Sequence, residues 1–300
     1  MISVKCDCCG AEMCIWSSGE LYCPYCGAKK SFSDKELSDY KAFRKRMLEY
    51  LASCADQKQD EESSRWLWQR AESVSFTTDT NRKLEVSYLF SSQEDGVTMY
   101  VARKNVIFYF PKQRAYLASK MLEKIQSVSV PQAGDKDLWR TLPSFVGQYA
   151  LCDGGVCVAV SKPENMYPLS AFGNLPYVHV AWIISRLENI ACLLTYNGTV
   201  HQGLSVESIF LNPITHEAAL LGNWWRASEM TEETAKTDLL LLRDVAKKAL
   251  GTNDAPKGFL DFLKKKPETD AFEDFKEWDR VIEEKLGGRV FHKMGLDAIQ

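Results

Sequence analysis

The first 27 residues contain two cysteine pairs of the same form. In each pair two cysteines enclose two residues and a glycine follows, as in Cys6-x-x-Cys9-Gly10 and Cys23-x-x-Cys26-Gly27. This spacing lets both thiolates of a pair bind one ion, while the glycine supports the backbone reversal. Two pairs supply four thiolates. The spacing therefore predicts a closed, structural zinc site with four cysteine ligands: Cys6, Cys9, Cys23 and Cys26.

The residues between the two pairs predict a short hairpin, and the whole pattern over residues 1–32 resembles a zinc ribbon. An iron–sulfur centre can use the same four ligands, and Cys8 or Cys14 could replace a neighbouring ligand. Of the ten cysteines, the four outside this cluster are scattered singly. That distribution favours a reducing compartment over a secreted disulfide framework, so we expect a cytoplasmic protein.

A helical connector is predicted over residues 33–65. Ser33 and Glu36 have the spacing of a capping box, and apolar residues then recur near helical spacing. The only basic run of the segment ends in Arg44, Lys45 and Arg46. On a helix such charges usually form a solvated face, and nucleic-acid contact is the alternative.

A larger domain is predicted over residues 66–300. Three β-rich runs, one helix and two further strands fall within residues 66–162. From residue 163 the pattern is mostly helical, with a long candidate helix from Tyr177 to Thr195. The expected fold class is α+β, with a small antiparallel β lobe that carries one helix and a larger helical lobe.

The long helix is followed by a loop that begins His201-Gln202-Gly203-Leu204, then by two short strands and Gly222-Asn223-Trp224-Trp225. This order resembles the protein-kinase fold, in which His-Arg-Asp-Leu-x-x-x-Asn and Asp-Phe-Gly occupy these places. The resemblance covers roughly residues 80–290. It implies a bilobal domain with a nucleotide cleft and a structural role for His201.

The positions that carry chemistry in kinases hold other residue types here. Gly203 stands in place of the catalytic Asp, Ser205 in place of a lysine, and Ser208 in place of the metal-binding Asn. Asn223 stands in place of the metal-binding Asp, and Asp238 matches the Asp that braces the catalytic loop. The candidate site residues are therefore those of a degenerate kinase.

The nucleotide end departs from the family as well. The predicted first turn, Ser91 to Gly96, has one glycine and two acidic residues, and the third strand offers no lysine for the phosphates. We therefore expect neither ATP nor Mg²⁺ to be cofactors. The sequence predicts a pseudokinase that is not an enzyme and acts as a binding or scaffold protein for a protein partner.

Two alternatives remain open at this point. One is an atypical enzyme that binds a nucleotide in the kinase-like cleft, and the other is a zinc-ribbon regulator that binds nucleic acid. The net charge of −3, from 37 basic and 40 acidic residues, gives no global basic field for nucleic acid or anionic lipid. With no apolar run of about 18–20 residues and no signal segment, no membrane contact is expected.

Overall fold

The structure is a computed structural model that describes Cys6 and residues 8–11, 13–15, 20–31, 57–131, 138–251, 255–268, 270–290 and 292–300. The chain forms two compact units, Met1–Glu61 and Glu62–Gln300. The predicted boundaries at residues 32, 65 and 162 stay predictions. Ser33, Glu36 and the basic run Arg44, Lys45 and Arg46 lie outside the described residues.

The first unit contains a three-stranded antiparallel sheet. Its strands are β1 (Cys14–Ile15), β2 (Glu20–Tyr22) and β3 (Lys29–Ser31), in the order β1-β2-β3. The pairing of Ile15 with Leu21 gives the predicted hairpin between the two cysteine pairs. Leu21 is buried, as are Cys6 and Cys23, and its side chain supplies apolar support to the sheet.

The second unit begins within a helix over residues 57–68 (α1), which leads into a six-stranded antiparallel sheet in the order β4-β5-β6-β7-β9-β8. The strands are β4 (Glu72–Thr77), β5 (Lys83–Glu94), β6 (Val97–Ala102), β7 (Asn105–Phe110), β8 (Ser144–Ala150) and β9 (Val156–Ser161). Alternate residues of β6 and β7 are fully buried, among them Val101 and Phe108. They pack with α2 (Tyr116–Ser127) in one hydrophobic core.

The predicted turn from Ser91 to Gly96 is wrong in extent. β5 continues through Glu94, and Ser91 pairs with Tyr100 of β6. The turn consists of Asp95 and Gly96 alone, both with positive φ (55° and 79°), as a two-residue type I′ hairpin requires. Cross-strand pairing here outweighs the turn propensity of the polar run.

In the part of the helical lobe that the structure describes, four α-helices and five short strands are present. The helices are α3 (Tyr177–Tyr196), α4 (Thr237–Ala249), α5 (Lys257–Lys264) and α6 (Ala271–Lys285). The strands are β10 (Tyr167–Pro168), β11 (Thr199–Val200), β12 (Ile209–Asn212), β13 (Glu217–Leu220) and β14 (Ser228–Glu229), paired as β10-β12-β13 and β11-β14. The predicted α+β class, with a β lobe, a helical lobe and an N-terminal cysteine cluster, is confirmed.

The helix α3 is the centre of the helical lobe. Among the described helices it alone has the length and mean hydropathy, 1.2, that would suffice to cross a membrane, and half of that stretch is buried inside the molecule. A core helix of a soluble protein has the same properties, so this feature is compatible with a soluble protein. The predicted absence of membrane contact stays a prediction.

A buried ion cluster joins three helices of this lobe. Arg243 of α4 pairs with Glu188 of α3 at 3.1 Å and with Asp274 of α6 at 2.6 Å. Its guanidinium also lies 3.6 Å from the ring centroid of Phe262 in α5. All three ionisable side chains are at most 3% exposed. Their burial is tolerated because Arg243 is hydrogen-bonded to both carboxyl groups.

Candidate functional site

The four predicted metal ligands come together in the first unit. The Sγ atoms of Cys6, Cys9, Cys23 and Cys26 all lie within 4.8 Å of one another. Two of these separations, Cys6–Cys26 and Cys9–Cys23, are 3.5 Å. Four sulfurs at about 2.3 Å from a tetrahedral zinc lie roughly 3.8 Å apart, so the cluster fits one such ion. Of the residues that could replace a ligand, Cys8 is exposed and lies outside this cluster.

The two cysteine pairs have matching backbone geometry. Cys6 N–H donates to Ala11 O (2.8 Å) and Gly10 N–H donates to Cys6 O (2.8 Å), and Cys23 and Gly27 repeat this pattern at 2.9 and 3.0 Å. Gly10 and Gly27 have φ of 72° and 75°, which only glycine adopts without strain. The backbone amide of Cys8 donates to Cys6 Sγ and lowers the pKa of that thiol. Such donors favour the thiolate, the form that binds metal.

In the helical lobe, His201 follows β11 and is fully buried. Its Nε2–H donates to Gly222 O at 3.0 Å and its Nδ1 accepts from the Gly203 amide at 3.2 Å, which fixes one neutral tautomer. Burial lowers the pKa of His201 to about 3. The ring also meets Trp224 edge-on at 5.0 Å. These contacts position the loop between α3 and β12.

Asp238, in the first turn of α4, binds the backbone of the same loop. Its carboxylate accepts the backbone amides of His201 (2.6 Å) and Gln202 (2.8 Å). Gln202 has a φ of 59°, so the two bonds fix a sharp reversal of the backbone. Burial raises the pKa of Asp238 to about 6, against the lowering by the two amides.

Gly203 and Asn223 face each other across the loop. A Cβ at position 203 would lie 2.7 Å from Asn223 Cβ and 3.1 Å from Arg226 Cδ, so no larger side chain fits without a shift. Asn223 is 4% exposed and has a left-handed φ of 61°, a conformation that Asn tolerates. Its Nδ2–H donates to Gly203 O at 2.9 Å.

Ser205 and Ser208 close the turn that leads into β12. The Ser205 amide donates to Ser208 Oγ at 2.8 Å, and the Ser208 amide donates to Ser205 Oγ at 3.2 Å. Ser208 O accepts the amides of Leu221 and Gly222, both at 3.1 Å. The two serines therefore form a reciprocally bonded turn that links β12 to the end of β13.

The two lobes meet through four polar residues, which we call the interlobe cluster: Glu94, Asp95, Asn223 and Arg226. Asn223 Nδ2 donates to Glu94 Oε2 at 2.7 Å, and Arg226 Nη1 lies 2.9 Å from Glu94 Oε1. Arg226 binds Asp95 through two parallel bonds of 2.7 and 2.8 Å. The hydrogen bonds from Arg226, helped by Trp225, lower the pKa of Asp95 to about 2. In the kinases that the sequence resembles, these segments contact nucleotide phosphates and metal, whereas here they bind each other.

Aromatic contacts and a small cavity complete the cleft. Trp225 Nε1 donates to Asp95 Oδ2 at 3.0 Å, and its ring meets Phe108 and Phe110 edge-on at 5.9 and 5.7 Å. A separate cavity of 240 Å³ lies between the lobes, bounded by Phe90 and Met99 of the β lobe and by Pro168, Ser170 and Gln300.

Glu94, Asp95 and Arg226 were not predicted as a cluster. The acidic pair was interpreted only as a source of repulsion toward phosphate, and Arg226 was not identified. Arg226 and Asp95 are 131 residues apart in the sequence, so no local spacing could reveal the pair. Pairing of β5 with β6 as far as Glu94 is what places the hairpin turn at the interlobe cleft.

Comparisons with known proteins give fold-level neighbours only. No protein-family model matches this chain, and no curated protein matches it. A co-crystal structure of WbdD with the kinase inhibitor LY294002 is similar at 10% identity and a TM-score of 0.44, covering 69% of this chain and 47% of that chain. Vaccinia related kinase 3 is similar at 17% identity and a TM-score of 0.44, covering 70% and 76%. The chain thus spans about half the length of WbdD.

These neighbours correct one sequence-based prediction. The chain was predicted not to be an enzyme, but the structures that it resembles are described as a kinase and as a protein crystallised with a kinase inhibitor. The comparisons contain no finding of catalytic inactivity. At TM-scores of 0.44 they assign no activity to this chain either.

Proposed function

We propose that the kinase-like domain is a binding module that takes an acidic segment of a protein partner at the edge of its interlobe cleft. The proposal rests on one observation: an exposed tyrosine, Tyr116, stands between two basic residues, Arg114 and Lys120, beside the interlobe cluster. Within the described residues neither Arg114 nor Lys120 has an ion-pair partner.

These three residues line a groove of 370 Å³ between α2 and the segment Trp224–Arg226, and we call it the α2 groove. Tyr116 is 62% exposed, so its ring is available to a partner. Tyr and Arg are the residue types most enriched at the centres of protein interfaces. Arg226 with its two partners Asp95 and Glu94 carries a net charge of −1, so Arg114 and Lys120 give the groove and the interlobe cluster together a net charge of +1.

A peptide is favoured over nucleic acid as the occupant. The net charge of −3 disfavours a long polyanion that spreads over the surface, and among the described residues two unpaired cations line this groove. A short acidic segment can pair with two cations and pack against one ring without contacting the rest of the surface.

Binding of a fluorescein-labelled octaglutamate peptide that contains one central Tyr tests the proposal. By fluorescence anisotropy, the peptide should bind the full chain, and Arg114→Glu with Lys120→Glu should weaken binding at least about tenfold. Lys264→Glu with Lys266→Glu, a matched charge reversal of two exposed lysines at and just after the end of α5, should leave the affinity unchanged. Absence of binding, equal weakening by both double variants, or tighter binding of an oligonucleotide of equal charge would contradict the proposal.

For the N-terminal unit we propose a structural zinc held by Cys6, Cys9, Cys23 and Cys26. Support comes from the four thiolates, the absence of a fifth ligand position within the described cluster, and the two matched glycine turns. The iron–sulfur alternative predicts visible absorption that a zinc protein lacks.

A nucleotide in the interlobe cleft is a second candidate function, favoured by the 240 Å³ cavity between Phe90, Met99 and Pro168. The polar side chains that would meet the phosphates are bonded to each other in the interlobe cluster, so binding requires that cluster to open. Thermal unfolding with ATP and Mg²⁺, compared with unfolding with ATP and EDTA, measures nucleotide binding directly. A magnesium-dependent rise in Tm would support this candidate, and an unchanged Tm would remove it.

A further inference from the structure

The β lobe carries a second apolar surface that its own core does not use. The core packs on the face of the sheet that bears Phe108 and Val160. On the opposite face, Ile107 pairs with Ala159 across β7 and β9. Among the described residues, neither belongs to a hydrophobic core cluster. Apolar residues on a sheet face without a core need another element, or a ligand, to cover them.

A two-stranded ribbon arches over this outer face. Residues 83–87 of β5 pair with β4 alone, because pairing with β6 begins only at Tyr88. The ribbon therefore extends past the end of β6. Phe76, near the end of β4, contacts two rings of the outer face. It meets Tyr100 edge-on at a ring separation of 5.9 Å and Tyr109 at a tilt with a separation of 5.3 Å.

The tip of the ribbon is tied to the opposite edge of the sheet. Thr78 forms an antiparallel bridge with Leu151. The amide of Cys152 donates to Thr77 O at 3.0 Å, and the amide of Asp79 donates to Ala150 O at 3.1 Å. The two edges, β4 and β8, thus meet, and the sheet encloses its outer face on this side.

A cavity of 340 Å³ remains under the ribbon. Leu84 and Val86 of the ribbon line one side, and Ile107, Cys157 and Ala159 line the sheet side. Small side chains form the floor of the cavity. Cys157 and Ala159 are 2% and 5% exposed, and both have little volume. Burial raises the pKa of Cys157 to about 12, in agreement with an apolar floor. The volume lies in the range of small-molecule sites, ~300–1,000 Å³, and the lining combines apolar with polar residues.

The charges at the cavity limit what can enter. Arg82, Lys83, Glu85 and Asn105 also line it. Within the described chain, the side chains of Arg82 and Lys83 have no hydrogen-bond or ion-pair partner. Two cations against one carboxylate leave an excess positive charge beside an apolar chamber.

We propose that the chamber under the β4–β5 ribbon binds a small monocarboxylate with an apolar body, such as a medium-chain fatty acid. The apolar body lies against Leu84, Ile107 and Ala159, and the carboxylate meets Arg82 and the Asn105 amide. Neither the α2 groove nor the interlobe cluster takes part, so this site is independent of the proposed binding function.

Calorimetric titration of the full chain with sodium decanoate tests the site, with 1-decanol as the neutral probe of equal chain length. Wild-type protein should bind decanoate more tightly than decanol. Arg82→Ala should weaken decanoate about tenfold and remove the difference between the two probes. Arg65→Ala, which removes an exposed charge of α1, should change neither affinity.

Filling the chamber separates a ligand site from a packing defect. Ala159→Leu should weaken both probes at least about tenfold while the protein stays folded. Val146→Trp, at a rim residue that is 53% exposed, gives the same test if Ala159→Leu fails to fold. If neither probe binds wild-type protein, if the filled variants bind as well as wild type, or if decanol binds as tightly as decanoate, the proposal is overturned.

Discussion

The side-chain amide of Asn223 donates a hydrogen bond to the carboxylate of Glu94 at 2.7 Å, and this bond joins the helical lobe to the end of β5 in the β lobe. Asn223 also donates to Gly203 O, so a single residue connects the end of β5 to the loop that follows α3. Arg226 reinforces the junction through Asp95. The cleft of this kinase-like domain is thus held by contacts between its own lobes.

Asp95→Asn should lower the free energy of unfolding by about 1 kcal/mol, since it removes the charge from a bidentate but roughly one-third exposed pair. The pKa of Asp95 is lowered to about 2, so its stabilisation is present above pH ~4 and is lost as the pH falls toward 2. Urea unfolding from pH 7 to pH 2 measures both effects. Glu85→Gln, an exposed acid of the adjoining strand β5, is the control. A difference from wild type that persists at pH 2, or an equal loss in Glu85→Gln, would contradict the assignment.

Asp238→Asn should destabilise the helical lobe by about 1–3 kcal/mol. The side chain would keep one acceptor oxygen for two buried donors, the amides of His201 and Gln202. Hydrogen exchange at these two amides should accelerate more than exchange in α6. Asp261→Asn, on the exposed face of α5, should leave both rates as they are. Unchanged protection of His201 and Gln202 would show that Asp238 does not hold the loop.

The buried cluster around Arg243 makes stability depend on pH. Burial, and then the charge of Asp274, raise the pKa of Glu188 to about 8, against the pull of Arg243. The folded state therefore keeps a proton that the unfolded chain loses near pH 4.5, and this group's contribution to stability falls as the pH rises from about 4.5 to 8. Glu188→Gln should flatten that fall in a urea series. Parallel pH profiles for wild type and Glu188→Gln would disprove it.

Removal of the metal should affect the N-terminal unit alone. Mass spectrometry of the native protein should give one zinc per chain, and a strong chelator should release it. Because a segment this small has little core of its own, release of the zinc should unfold it. Cys9→Ser should lower zinc content, whereas Cys152→Ser, at an exposed cysteine of the second unit, should not. Visible absorption with bound iron, or full zinc retention in Cys9→Ser, would contradict the zinc assignment.

Local spacing made the metal site predictable. Cys6 and Cys9, like Cys23 and Cys26, specify their own turn geometry within five residues, and the glycines confirm it with positive φ. The loop from His201 and the position of Asp238 followed from a resemblance in element order. Those residues also lie near the ends of strands and helices, where sequence patterns change.

Long-range pairing was beyond the sequence. Arg226 and Asp95 are ordinary charged residues, and only the closed arrangement of two lobes brings them to 2.7 Å. The strand β4 did carry a signal, because Val74 and Phe76 alternate with polar residues, but its short Ser-rich run resembles a loop in composition. The chamber under the ribbon depends on where β4 ends, so the chamber could not be predicted without that strand.

Hydrogen exchange of the full chain with and without the acidic Tyr-containing peptide tests the central claim most directly. If the α2 groove binds the peptide, amides at residues 114–120 and near Arg226 should slow on addition of peptide, and Arg114→Glu with Lys120→Glu should abolish the slowing. Protection confined to other surfaces, or protection of residues 114–120 that survives the double charge reversal, would contradict the claim.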